Sequence, residues 1–477
     1  MGYVTNEFDR NQVNLMPLAF DELIDENNPV RVIDAFVEML DMNKLNCVYA
    51  TSKATGRPPY NPKDLLKLYI YGYFNGIRTS RKLERECKRN IELMWLLNNL
   101  TPDDKTISSF RKDNKTAVIS TFKQFSVLCH ELNLIGKEIV AIDGSKFRAC
   151  NSRRKSYTKR KIEKMLVHFE QAANKYIELL EQSEKDQTVT DISNLKEKLE
   201  NAMNRIKELN ILAIEVEEKG EISITDSDSR HMSVSNNGTD ISHNVQTAVD
   251  EKHHLIVAVD VTSNAQDNGQ LTPMADQVKQ ELGVEEITLL ADKGYYNGEC
   301  LKHCQENGIT AIVSKQKYGS KTGDDNYTRD KFLYNKEKDV FVCPQGQELI
   351  CKSSKKAKRI KYKTEACKNC LYQTNCTTSE KGRDISINEY FENYEKADSL
   401  FAEYINLYKK RQMIVEHPYG TIKRSLGYTY FLTRGHDNVK NESYLHCLTY
   451  NLIRVITIMG VAPLVDILKN KKRIFAN

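Results

Sequence analysis

Two apolar runs in this chain end in an aspartate with no turn before it: IVAIDGSK, with Asp143, and LLADKGYY, with Asp292. Each run reads as a short buried strand. Small or basic residues follow at once: Gly144, Ser145 and Lys146 after the first, Lys293 and Gly294 after the second. One strand-end Asp could equally start a turn or cap a helix. Two of them on strands of one α/β unit are more telling, because open sheets carry their chemistry at strand ends. A third acid, Glu416, lies in the helical run KKRQMIVEHPYGTIKRSLGY, between Arg411 and Lys423. If that helix continues, Glu416, Gly420 and Lys423 share a face. Pro418 cannot donate to the Ile414 carbonyl and is expected to kink or restart it. Two carboxylates from strands and one from a helix can hold two Mg²⁺ (or Mn²⁺) ions roughly 3.5–4 Å apart. One ion would activate an attacking water or 3′-hydroxyl, and the other would stabilise the leaving 3′-oxygen of a phosphodiester. Gly144 and Gly294 would then let a DNA backbone approach closely.

The elements that must position these acids can be read around them. Residues 1–135 read as helical. NPKDLLKLYIYGYF has Pro62 at its start and Asn75-Gly76 at its end, and SRKLERECKRN follows, capped by Thr79 or Ser80. Helix, short Gly turn, helix is a helix-turn-helix pattern. Its second member carries Arg78, Arg81, Lys82 and Arg85, a candidate DNA-binding set that could equally be a solvated face. After the Asp143 strand, residues 152–220 are charged and helical, and Lys159–Gln187 and Ile192–Lys219 read as a helical hairpin inserted into the α/β unit. A turn is expected near Thr188 to Asp191. SHNVQTAVD and LIVAVDVT read as an antiparallel pair, LTPMADQVKQEL as a helix, EITLLAD as a strand, NGECLKHCQENG as a helix and TAIVSK as a strand. Residues 317–385 look loop-like, basic and cysteine-bearing, and Phe391–Arg424 and Ser443–Leu468 are helical.

Within that insert, Cys367-x2-Cys370 has the spacing of a zinc half-site. Cys343 and Cys376 could complete a Cys₄ set for one structural Zn²⁺, with Cys351 in reserve. The basic run KSSKKAKRIKYK between the halves suits phosphate contacts. Cys300 and Cys304, with His303 between them, read as helix packing.

Bulk properties bound the rest. A chain of 477 residues with 40% hydrophobic content has room for two or three units with real cores. A formal charge of +5 does not by itself argue for nucleic acid. The first residues, MGYVTNEFDRNQ, lack an apolar signal segment. The apolar stretch Leu448–Ile467 carries Arg454 and Asp466 and reads as a buried helix, so no membrane partner is expected. Twelve cysteines without such a signal favour a reducing, cytoplasmic setting.

These blocks together resemble the DDE transposases of bacterial insertion sequences. The resemblance rests on AIDGSK, on TDSDSR…HNVQTAVDEKHHLIVAVDVTSNAQDNGQLTPM, on LLADKGYYNGEC and on the run from Tyr408 and Arg411 through Glu416 to Lys423. The segment NLMPLAFDELIDENNPVRVID…YNPKDLLKLYIYGYFNGIRTSRKLERECKRN resembles the all-helical domain that precedes the catalytic domain in one large group of them. The resemblance implies an RNase H-like mixed α/β catalytic domain over 136–477. An all-α DNA-binding domain over 1–135 precedes it, and a helical hairpin over 152–220 and a zinc-binding insert over 317–385 interrupt it. It implies Asp143, Asp292 and Glu416 as catalytic, metal-holding residues. Lys146, Lys293, Arg411 and Lys423 join the DNA-binding candidates. It implies metal-dependent cleavage and strand transfer at terminal inverted repeats of double-stranded DNA, by a homo-oligomer that pairs the two ends. An idle DNA-binding descendant and an RNase H-fold nuclease are the alternatives.

Overall fold

The computed structural model describes residues 19–49, 58–186, 192–234, 238–315, 322–352 and 359–475. The turn expected near Thr188 to Asp191 and the centre of the basic run KSSKKAKRIKYK lie outside them. Six helices come first: α1 (Val30–Met39), α2 (Pro62–Phe74), α3 (Ser80–Cys87), α4 (Ile91–Leu96), α5 (Asp104–Asp113) and α6 (Lys115–Glu131). The Asn61 side chain caps α2 by accepting from Lys63 N, and Pro62 opens it. α2 ends at Asn75, and Gly76 turns the chain at φ +72°. The Thr79 side chain then caps α3. The two helices approach so closely that a Cβ on Gly72 would lie 2.6 Å from both the Ile77 carbonyl and Leu83 Cδ2.

The chain then enters β1 (Ile139–Arg148). A short pair, β2 (Ser156–Thr158) and β3 (Glu221–Ser223), closes the base of two 28-residue helices, α7 (Lys159–Asp186) and α8 (Ile192–Lys219). This arm keeps its own small core of Tyr157, Ile162, Leu209 and Val216. The sheet resumes with β4 (Arg230–Val234), β5 (Gly238–Asp250) and β6 (Ile256–Thr262), followed by α9 (Leu271–Leu282), β7 (Ile287–Ala291), α10 (Gly298–Glu306) and β8 (Ile309–Val313). β1 pairs antiparallel with β5, and β5 with β4 and β6. On its other edge β1 pairs parallel with β7, and β7 with β8. The result is a mixed α/β fold behind a helical N-terminal region.

Residues 333–388 depart from the loop-like expectation. They form an antiparallel sheet of five short strands, β9 (Leu333–Asn335), β10 (Val340–Val342), β11 (Glu348–Cys351), β12 (Arg359–Lys363) and β13 (Asp384–Asn388), with α11 (Gln373–Cys376) beside it. Phe332, Phe341, Leu349, Tyr362, Ile385 and Ile387 fill a core of its own. The apolar residues alternate along strands of only three to five residues, too short to read as a sheet from sequence.

The chain closes with α12 (Phe391–Glu403), α13 (Ile405–Tyr408), α14 (Arg411–Gly420), α15 (His436–Met459) and α16 (Val461–Phe475). Residues 441–452 of α15 are buried without a break, because the helix runs between the sheet and α2 and α6. Phe122 of α6 meets Tyr444 edge-on, and Tyr73 of α2 meets Tyr428 and His446. The N-terminal helices and the sheet thus share one continuous core. Among the described residues no single helix is long and apolar enough to cross a membrane, and α15 and α16 bend by 109° at Gly460.

Candidate active site

Pairing between β1 and β7 ends at Ala141 and Leu290. Two residues further on, Asp143 and Asp292 leave the parallel edge together. The Asp292 carboxylate turns back to accept from Gly294 N at 2.7 Å. Asp143 is about a quarter exposed, and Arg411 Nη1 stands 3.8 Å from its Oδ1. That nitrogen is buried and has no hydrogen-bond partner. Burial pushes the Asp143 carboxyl up to about 6; Arg411 opposes this and the neighbouring charges of Asp292 and Asp267 add to it. The two strand-end acids of the sequence reading therefore do share one site.

Asp267, on the loop between β6 and α9, was not among the residues singled out from sequence. Its Oδ1 accepts from Asn244 Nδ2 and Gln246 Nε2, each at 2.7 Å, and from Lys146 Nζ at 3.2 Å. This cluster occupies the space a side chain at Gly144 would need: a Cβ there would lie 2.3 Å from Gln246 Nε2 and 2.4 Å from Asp267 Oδ1. Gly144 therefore makes room for the protein's own side chains, not for DNA. The sole signal in the sequence was Asp267's place inside the block AQDNGQ, where it reads as a turn residue.

Glu416 sits on α14, which packs across β1 and β5. Three residues on, the Tyr419 hydroxyl accepts from Thr247 Oγ1 (3.0 Å) and donates to the carbonyls of Val245 (2.9 Å) and Asp143 (3.1 Å). This fixes α14 over the site, but the Glu416 side chain faces solvent and accepts from Gln412 Nε2 at 2.8 Å. Among the described residues, no group of three or more His, Cys, Asp or Glu side chains is arranged to hold a metal ion. The structure thus brings Asp143 and Asp292 together and leaves Glu416 exposed on α14, bonded to Gln412.

The shared face expected for Glu416 and Lys423 is absent. α14 passes through Pro418, and residues 421–425 continue as a wide π turn, which rotates the later residues out of α-helical register. Lys423 turns into the sheet, where Nζ donates to Ser145 Oγ (2.6 Å) and the Lys146 carbonyl (2.7 Å) and lies 4.3 Å from the centre of the Phe147 ring. Burial, aided by the Lys146 charge, brings its amine down to about 8. It clamps β1 more than it offers a surface charge.

The other basic candidates divide similarly. Arg78 is buried: its guanidinium lies between the rings of Tyr428 and Tyr430, donates to the Tyr430 carbonyl at 2.8 Å and approaches Glu442 at 3.6 Å. It is a packing residue, contrary to its reading as a DNA contact, because its tyrosine and glutamate partners come from some 350 residues further along the chain. Arg81, Lys82 and Arg85 stay exposed on α3, as does Lys293 beside Asp292. Lys146 is tied to Asp267 and is 15% exposed.

Cys343, Cys367, Cys370 and Cys376 line one small cavity of about 30 Å³ with Arg383 at its edge. Gly382 closes against them: a Cβ there would lie 2.5 Å from Cys367 Cβ. Cys351 lies on β11 and is not among the cavity's lining residues. Cys300 and Cys304 are buried in the main core, and His303 pairs with Asp276 at 2.8 Å, so these three pack as expected.

A mixed sheet with paired carboxylates at its parallel edge, behind a helical region with an exposed basic helix, marks an α/β protein with an acidic site. Residues 18–113 match the family described as Transposase domain (DUF772), and residues 342–456 match the Transposase DDE domain family. No curated protein matches the chain at a significant level. A solved structure described as "Cryo-EM structure of piggyBac transposase synaptic complex with hairpin DNA (SNHP)" aligns over 94% of this chain and 82% of its own, with 8% identity and a TM-score of 0.34. The chain is a DDE transposase.

Proposed function

We propose that this transposase cuts DNA at the terminal inverted repeats of an insertion sequence and transfers the freed strands, with Mg²⁺ (or Mn²⁺) held by Asp143, Asp292 and Glu416. The observation that carries this reading is the Asp143–Asp292 pair, a site with more negative charge than its single neighbouring guanidinium offsets. Such a donor set of carboxylate oxygens fits hard divalent cations. Glu416 completes it if its side chain turns inward from α14, whose place over β1 is already fixed by Tyr419. Bound there, divalent ions would supply an activated nucleophile and charge neutralisation at the leaving oxygen.

The chain's own residues do the rest. Arg411 holds Asp143 and keeps a buried donor unused beside it, where a phosphate oxygen would satisfy it. Lys423 braces β1 through Ser145 and the Lys146 carbonyl, on the strand face that also carries Asp143. The order β6-β5-β1-β7-β8, three antiparallel strands leading into two parallel ones, supports an RNase H-like catalytic domain over 136–477, with 152–220 and 317–385 as inserts. Arg78 ties the start of α3 to Tyr430, which bridges Arg148 at the end of β1. The exposed Arg81, Lys82 and Arg85 thereby stand on a helix anchored to the strand that carries Asp143, which suits a duplex laid along both. Cys343, Cys367, Cys370 and Cys376 line one cavity but are not set as a metal-binding group, so one structural Zn²⁺ there would have to draw the four thiolates together. A homo-oligomer follows from the need to hold two ends in one reaction.

Purified protein is expected to nick or cut DNA carrying the element's ends only with Mg²⁺ or Mn²⁺. Asp143→Asn and Glu416→Gln should bind those ends and leave them intact. Cleavage that ignores the end sequence would replace this reading with a general nuclease, and cleavage by Asp143→Asn would remove the assigned site.

A further inference from the structure

We propose that Asp267 is the positioning residue of the acidic site, a role that rests on reading Asp143 and Asp292 as its catalytic pair. Three pieces of chain meet at this one carboxylate. Lys146, three residues beyond Asp143 on β1, donates to its Oδ1. Asn244 and Gln246, on the partner strand β5, donate to the same oxygen at 2.7 Å. Gln246 in turn accepts through its Oε1 from the buried Tyr295 hydroxyl, three residues beyond Asp292. Asp267 therefore connects the segment after Asp143 to the segment after Asp292 through one hydrogen-bonded chain.

The packing leaves no slack in that chain. Gly144 has no Cβ because Gln246 and Asp267 fill its place. On the other side, a Cβ at Gly294 would sit 2.9 Å from Asp292 Oδ1 and 3.7 Å from Asp267 Oδ2, so both carboxylates close on the same small residue. Only Oδ1 is saturated by donors. Its charge holds the Lys146 ammonium, which left free could compete with a cation for the acidic site. Asp267 acts through its neighbours: it sets the distance between the two strand ends and keeps the Lys146 ammonium off them. A carboxylate oxygen that receives three donors, one of them an ammonium, holds them more strongly than the neutral amide oxygen of Asn, which keeps the shape of the hub and loses its charge.

The test compares Asp267→Asn, Lys146→Gln, the double variant and Asp143→Asn in full-length protein on DNA carrying the ends. Asp267→Asn is expected to bind the DNA like the parent and to lower kcat by about 10- to 100-fold, the usual cost of losing a group that orients a metal ligand. KM should stay within about twofold in the same assay, and kcat is referred to the DNA-binding-competent protein counted by stoichiometric titration, because loss of folded protein would also lower apparent kcat at constant KM. Titration of the protein–DNA complex with Mn²⁺, followed by electron paramagnetic resonance, should show weaker binding in Asp267→Asn. The Lys146→Gln and Asp267→Asn effects should fall short of additive, since each removes one end of the same contact. Should Asp267→Asn fail to fold, Tyr295→Phe cuts the chain one link further on and should show the same kcat and Mn²⁺ signature at smaller size. Parental kcat and Mn²⁺ binding in Asp267→Asn, or in Tyr295→Phe where it substitutes, would overturn the proposal. If Asp143→Asn also cleaves, the fault lies in the reading of the site itself, and the two failures are told apart.

Discussion

Asp143 bears a charge that its surroundings disfavour. Its folded-state pKa of about 6 lies above the ordinary value of 3.8, so the folded protein takes up this proton before the unfolded chain does. Stability is therefore lost as pH rises from about 4 to about 6, and the deficit persists above that. In metal-free buffer Asp143→Asn should melt at a higher temperature than the parent at pH 7, with the gain shrinking to nothing near pH 4; a pH series of thermal melts in EDTA reads this directly. Arg78 and its neighbours on α3 make the opposite kind of test. Arg78→Ala leaves the fully buried Glu442 without its cation and should cost about 3 kcal/mol or more in denaturant unfolding. Lys82→Ala or Arg85→Ala should barely change stability, yet each should reduce the salt slope of DNA binding by about 1. Asp143 and Asp292 were legible as acids that close apolar runs, but only Asp292 follows the end of its strand; β1 runs on past Asp143 to Arg148, and what ends before Asp143 is the pairing with β7. Asp267 was not, since a turn-type residue in AQDNGQ shows its role only when β1, β5 and the turn after Asp292 fold onto it. The burial of Arg78 was hidden for the same reason: local spacing shows a basic helix and is silent on two tyrosines far along the chain.

Helices and turns were read well from the sequence and short strands poorly. The α2–α3 caps at Asn61 and Thr79 and both long arm helices match their sequence signals, which are local. The five-stranded Cys-bearing sheet was missed because its alternation spans three to five residues at a time. Its four thiols around one cavity make a clear expectation: purified protein should carry about one Zn²⁺ per chain, and Cys367→Ser should lose it, as measured by elemental analysis. The π turn at 421–425 was equally unreadable, and it decides that Lys423 faces the sheet while Glu416 does not. The α7–α8 arm has a core separate from the main one and a two-stranded base. Replacing residues 159–219 with a short linker should leave the rest of the chain unfolding in one cooperative transition by calorimetry.

At the scale of the whole molecule, the helical N-terminal region and the sheet are one folding unit. α1 packs on α16, α6 on α15, and Tyr73 and Phe122 rest on residues of the last 50 positions. Residues 19–135 expressed alone should therefore show no cooperative melt, although their sequence reads as a self-contained helical domain. Order of synthesis gives that arrangement a further meaning. About 300 residues separate the end of α6 from the start of α15, a delay of roughly 15–60 s at ordinary translation rates. Through that interval the basic helix α3 leaves the ribosome without the aromatic pair that seats Arg78 or the helix that covers Tyr73. A nascent or truncated chain therefore holds its basic helix on an unfinished support, and ribosomes that stop short of α15 release a product that has no seat for it.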